Sequence, residues 1–137
     1  MLGLLLVVAA AASNAGPCPG GNTLEMNACL NARLKRSDAT LNHYYQTALK
    51  RITTENGSKT AQEFIKAQRS WIAYRDSECA SAFDRYEGTI RVSVALDCSI
   101  RLTRLRTYSI WRDWLTYPDS TPPLLPRPDV ESVLSGR

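Results

Sequence analysis

Apolar side chains recur at steps of three and four over most of this chain, with polar residues between them. The first such run predicts a helix from about Leu24 to about Thr53, with Met26, Leu30, Leu34, Leu41, Tyr45, Ala48, Leu49 and Ile52 on its apolar side. Asn22 followed by Glu25 has the spacing of a capping box, with Thr23 as a competing cap. Asn56-Gly57 ends the run, since glycine tolerates the positive φ of a reversal. Thr60 with Glu63 predicts the start of a second helix, reaching to about Tyr86. Within it, Phe64, Gln68, Trp71, Arg75 and Cys79 fall along one side, an apolar stripe that carries an arginine and ends in a thiol. The stretch Lys66–Cys79 contains no Gly or Pro, and it reads as the segment the rest of the chain packs against. After the break at Glu87-Gly88-Thr89, a third helix is expected from about Ile90 to about Leu115. Its inner stripe reads Val94, Cys98, Leu102, Leu105 and Ser109, with Trp111 and Trp114 near its end. The β-branched run 90–96 leaves a short strand as an alternative there.

Three long helices with short links predict an all-α, antiparallel bundle. Cys79 and Cys98 lie at nearly equal distances on either side of Gly88, so a hairpin turning there sets them face to face. The expected bridges are Cys79–Cys98 and, by elimination, Cys18–Cys29. An even cysteine count of this kind belongs to an oxidising compartment. Met1–Ala15 supports export: an apolar run leads into Ser13-Asn14-Ala15, the form of a signal peptide cut after Ala15, although no Lys or Arg precedes the run. Pro17 before Cys18 departs from a lipoprotein signal. The expected organisation is a signal peptide over 1–15, a helical domain over 16–117, and a tail over 118–137. Pro118, Pro122, Pro123, Pro126 and Pro128 make that tail extended or disordered. After removal of the signal no membrane span is expected.

The formal charge of the 137-residue chain is +4, which permits contact with anionic surfaces such as cell-wall polymer without requiring it. The basic residues are spread over all three helices and mixed with acids, a pattern that argues against a nucleic-acid partner. Zinc ligation needs closely spaced Cys or His pairs, whereas the cysteines here are far apart and His43 is the only histidine. No metal or cofactor is implied. No phosphate-binding glycine loop is present, and the acids Asp38, Asp76, Glu78, Asp84 and Asp97 are spaced for pairing with neighbouring arginines rather than for paired-carboxylate catalysis. No enzyme activity is expected. Arg75 is either a partly buried arginine paired with Asp97 or Asp38, or a partner-binding group beside Trp71 and Tyr74. Tyr74, Arg75 and Asp76 are therefore the candidate binding residues.

The residues follow one pattern in order. Cys18 and Glu25-Met26-Asn27-Ala28-Cys29 are followed by Asp38, Leu41-Asn42 and Tyr45, then by Ala67-Gln68-Arg69, Trp71-Ile72, Tyr74-Arg75-Asp76 and Glu78-Cys79. Gly88-Thr89-Ile90, Cys98, Leu102-Thr103 and Arg106 complete it. The pattern resembles the LprI-type lysozyme-inhibitor domain over about Cys18 to Leu115. The resemblance implies a small, helical, disulfide-bonded bacterial protein, secreted or periplasmic. It also implies a non-catalytic role, with lysozyme or another cell-wall hydrolase as partner. A structural or envelope-binding module that contacts anionic cell-wall polymer is the alternative.

Overall fold

The computed structural model describes residues 16–18 and 20–135. The expected signal peptide lies outside the described residues. Those residues form an all-helical structure with no strand among them. Helix α1 (Thr23–Glu55) is about 50 Å long at 1.5 Å per residue. Asn22 caps it as its spacing predicts, its side chain accepting a hydrogen bond from the Glu25 amide at 2.8 Å.

Helix α2 (Gly57–Asp84) begins earlier than the Thr60–Glu63 pattern predicts. Gly57 sits at φ +85°, so one residue reverses the chain and the helix restarts at once. Thr60 is already inside the first turn, and its hydroxyl donates to the Asn56 carbonyl at 3.2 Å instead of capping. The helix also stops at Asp84, short of Tyr86, ahead of a second left-handed glycine, Gly88, at φ +70°. Helix α3 (Ile90–Ile110) starts where expected, and 90–96 is helical. Its last turn widens into a π-helical segment, Trp111–Leu115.

The three helices pack together, and α3 rather than α2 is the hub: it has extensive contacts with both others, while α1 and α2 touch less. The buried side of α3 differs from the expected stripe: Cys98 and Leu102 are buried with Ser93, Ile100, Thr103, Thr107 and Ile110, while Val94, Leu105 and Ser109 are half-buried. On α2 the expected face does turn inward: Phe64, Gln68 and Cys79 are buried, and Trp71 and Arg75 half-buried.

The core has two parts. The larger is aromatic and aliphatic, with Leu41, Tyr44, Ala48 and Ile52 of α1 against Phe64, Ile110 and Leu115. Tyr45 stacks on Phe64 at 5.2 Å, and Trp114 meets the same ring edge-on at 5.6 Å. The smaller part is Cys79, Cys98 and Leu102. Both expected disulfides are formed, Cys18–Cys29 and Cys79–Cys98, and they use all four cysteines. Closing a loop of the second bridge's length stabilises the fold by about 3 kcal/mol, which compensates for the thin apolar core at that end.

The proline-rich tail is extended in part, but it is not a free segment. The Leu124 amide donates to the Leu115 carbonyl at 2.9 Å, Trp111 Nε1 to the Leu125 carbonyl at 2.9 Å, and the Tyr44 hydroxyl to the Pro126 carbonyl at 2.7 Å. Val130 is buried, and a short helix α4 (Glu131–Leu134) follows it. The π-helical segment aims Trp111 at the tail, and α1 supplies donors at its end: Arg51 Nη1 donates to the carbonyls of Trp114 and the following Thr116 at 2.8 and 3.0 Å. No helix among the described residues is long and apolar enough to cross a membrane.

Candidate functional site

The Arg75 stripe position puts its guanidinium where all three helices meet. Nη1 donates to Asp38 Oδ1 on α1 at 2.9 Å and to Thr103 Oγ1 on α3 at 3.1 Å; Nε donates to Asp76 Oδ1 at 3.2 Å. The guanidinium also lies over the Trp71 ring, 5.2 Å from its centre. Of the two acids expected as partners, Asp38 is the one used. Thr103 is fully buried and the Arg75 side chain is only 17% exposed, so these bonds work in a partly dry setting where they are stronger than at a surface. A turn away, Arg106 Nε donates to Gln68 Oε1 at 3.0 Å. Burial pulls the Arg106 pKa below its ordinary value, with Asp113 and Tyr45 acting in the opposite direction.

Of these residues Asp38, Gln68, Trp71 and Arg75 line an open groove between α1 and α2, about 300 Å³ in volume. Asp38, Asn42 and Tyr45 form one wall, and Trp71, Ile72 and Arg75 the other. The three candidate binding residues do not act as one cluster. Arg75 points inward, Asp76 is exposed and holds Arg75 from the solvent side, and Tyr74 is 54% exposed on the outer surface. Ile72, at the groove wall, is also exposed, and sequence reasoning did not single it out.

A second cavity, about 360 Å³, opens on the other side of α1. Arg33, Arg36, Ser37, Thr40 and Tyr44 supply one wall, Arg104 and Thr107 of α3 a second, and Arg127, Pro128 and Asp129 of the tail a third. Sequence reasoning missed it because the arginines are spread over three elements. The available signal was the spacing of Arg33, Arg36, Thr40 and Tyr44, which puts all four on one flank of a helix. Among the described residues, no group of three His, Cys, Asp or Glu side chains is arranged to hold a metal ion.

An uncharacterized protein of Rhizobium meliloti (strain 1021) is 32% identical over 120 residues, covering 77% of this chain and 86% of that protein. No solved structure matches. The family model described as lysozyme inhibitor LprI matches residues 15–110, most of the helical domain with both disulfides and the Arg75 stripe, and the chain belongs to that family.

Proposed function

We propose that this protein is a non-catalytic inhibitor, secreted or periplasmic, that binds a glycan-cleaving enzyme of the bacterial envelope. The family and the paired cysteines support export, and the family supports lysozyme as the kind of partner. The observation that carries a binding surface is the α1–α2 groove with its exposed rim. Ile72 presents apolar surface to solvent on the groove wall, beside the Asp38–Arg75 pair, while Tyr74 is exposed on the outer surface of α2. Interfaces are anchored by side chains of this kind, held on rigid elements and ringed by polar groups. Ile72 is the groove's anchor in this reading, Asp76 and the outward-facing Tyr74 are flanking contacts, and Arg75 holds the groove's walls together.

The test is titration of the oxidised protein into lysozyme digesting a cell-wall suspension. Inhibition is expected to weaken about tenfold or more in Ile72→Asp and less in Tyr74→Ala, both exposed positions where the fold should persist. No loss of rate at large molar excess, across several lysozyme types, would sink the reading. Common lysozymes are basic and this chain carries +4, so added salt should speed association with them by screening repulsion.

A further inference from the structure

The cavity on the far side of α1 gathers four arginines against a single carboxylate, Asp129, in a chain whose whole formal charge is +4. Arginine normally enters a partly enclosed space with an acid beside it, as Arg75 does with Asp38. Here, among the described residues, Arg33, Arg36 and Arg104 have no carboxylate within ion-pair distance. Arg33 donates through Nη2 to the Gly16 carbonyl, and its Nε is buried with no partner. Arg104 Nη1 donates to Ser132 Oγ at 2.9 Å. Only Arg127 has an acid, Glu131 Oε1 at 2.9 Å, and its guanidinium also lies over Tyr108. Arg36 makes no side-chain hydrogen bond among the described residues.

Nearby hydroxyls do not neutralise this charge. Those of Thr40 and Thr107 donate to backbone carbonyls of their own helices, and that of Tyr44 holds the tail at Pro126. Like charges placed this close destabilise the fold unless something negative joins them. Guanidinium forks match the oxygens of phosphate, and one phosphate group presents enough oxygens to engage several forks at once.

We infer that this cavity is a binding site for a phosphate group, either free in a small phosphate ester or carried on a lipid headgroup. The tail completes the site: Tyr44 and Trp111 bond its backbone at Pro126 and Leu125, next to Arg127 and Pro128. The site is separate from the α1–α2 groove and stands whether or not the inhibitor reading holds.

Calorimetric titrations of the oxidised protein at fixed ionic strength test it, with inorganic phosphate, glycerol phosphate and acetate as probes. Sedimentation with phosphatidylglycerol vesicles, against phosphatidylcholine vesicles, distinguishes the lipid source. Phosphate, or phosphatidylglycerol, is expected to bind, and Arg36→Gln and Arg104→Gln are each expected to weaken it about tenfold. Arg69→Gln, an exposed α2 arginine outside the cavity, should leave it unchanged. Arg36→Gln removes no side-chain hydrogen bond, so its fold should persist, and circular dichroism checks this. Binding confined to one source supports the site and identifies where the phosphate comes from. The inference is overturned by no binding of any phosphate probe, by acetate binding as tightly as phosphate, or by equal weakening in Arg69→Gln.

Discussion

Toward α2, the stretch of α1 around residues 33–45 presents Asp38, Leu41, Asn42 and Tyr45. Toward α3 and the tail, within the same turns, it presents Arg33, Arg36, Thr40 and Tyr44. The first flank meets one arginine whose charge is balanced: Asp38 of α1, Asp76 of α2 and the buried Thr103 hydroxyl of α3 accept from it, over an indole face. The second flank lines its cavity with four arginines and one carboxylate, Asp129, and Glu131 pairs with Arg127 alone among the four. The same side-chain type therefore has two uses in one small domain. Where its charge is balanced from within, arginine joins helices; where it is not, the fold carries an electrostatic strain that an outside anion would relieve.

The strongest way to break this comparison is Arg75→Ala. It removes bonds to Asp38 and Thr103 and the packing of its stem beside Trp71. Asp38 can regain water, since its side chain is 46% exposed, but the Thr103 hydroxyl cannot. A loss of about 2–3 kcal/mol in urea unfolding is expected. Against a total of about 5–15 kcal/mol for a domain, that is a large share. Arg75→Lys should recover only part of it, because an ammonium lacks the planar fork that serves two helices at once. A neutral result would mean that the paired flank is not a structural joint.

Tyr44→Phe probes the other flank through the tail. It removes the bond to the Pro126 carbonyl, with an expected cost of about 1 kcal/mol. Burial raises the Tyr44 pKa above its ordinary value, because the phenolate would lose solvation. The folded state thus favours the neutral phenol. Its contribution is whole below the ordinary tyrosine range and is lost as pH rises through the raised folded value. The stability gap between the native protein and Tyr44→Phe should accordingly narrow at strongly alkaline pH, measured by urea unfolding at matched salt. A gap that widens there would contradict the assignment.

The two flanks differ in how much of them the sequence discloses. Arg75 is marked by its place on an otherwise apolar stripe, and Asp38 was one of two acids that could reach it. The bridge Cys79–Cys98 follows from the hairpin register alone. The arginine cavity is not legible in the same way, because Arg33, Arg104 and Arg127 come together only through the choice of which flanks of α1 and α3 face each other. The tail is harder still. Its prolines keep residues 118–128 out of a helix, but it docks through backbone carbonyls at Leu125 and Pro126, and a carbonyl acceptor leaves no mark on side-chain identity. The start of α2 was misjudged for a related reason: Gly57 turns the chain in one residue, which makes a side-chain cap at Thr60 unnecessary.

The smallest expected effect is the sharpest test of the contrast. Arg36→Gln deletes a charge from the cavity without deleting a hydrogen bond, so the stability change should be below about 0.5 kcal/mol. Its sign carries the information. An exposed arginine in balanced surroundings would, if anything, cost stability when removed. An arginine crowded by Arg33, Arg104 and Arg127 should give a slight gain when removed, because the remaining three repel less. That gain should be present at low ionic strength and fade toward zero as salt rises past about 0.15 M, where the Debye length falls to about 8 Å. Asp38→Asn, on the opposite flank, should destabilise instead and do so with weaker salt dependence, since its bond to Arg75 is partly buried. Unfolding midpoints for both variants across a salt series would show the two trends diverging at low salt. If both variants lost stability in parallel, the two flanks would be electrostatically alike, and the contrast between a paired joint and a strained cavity would fail.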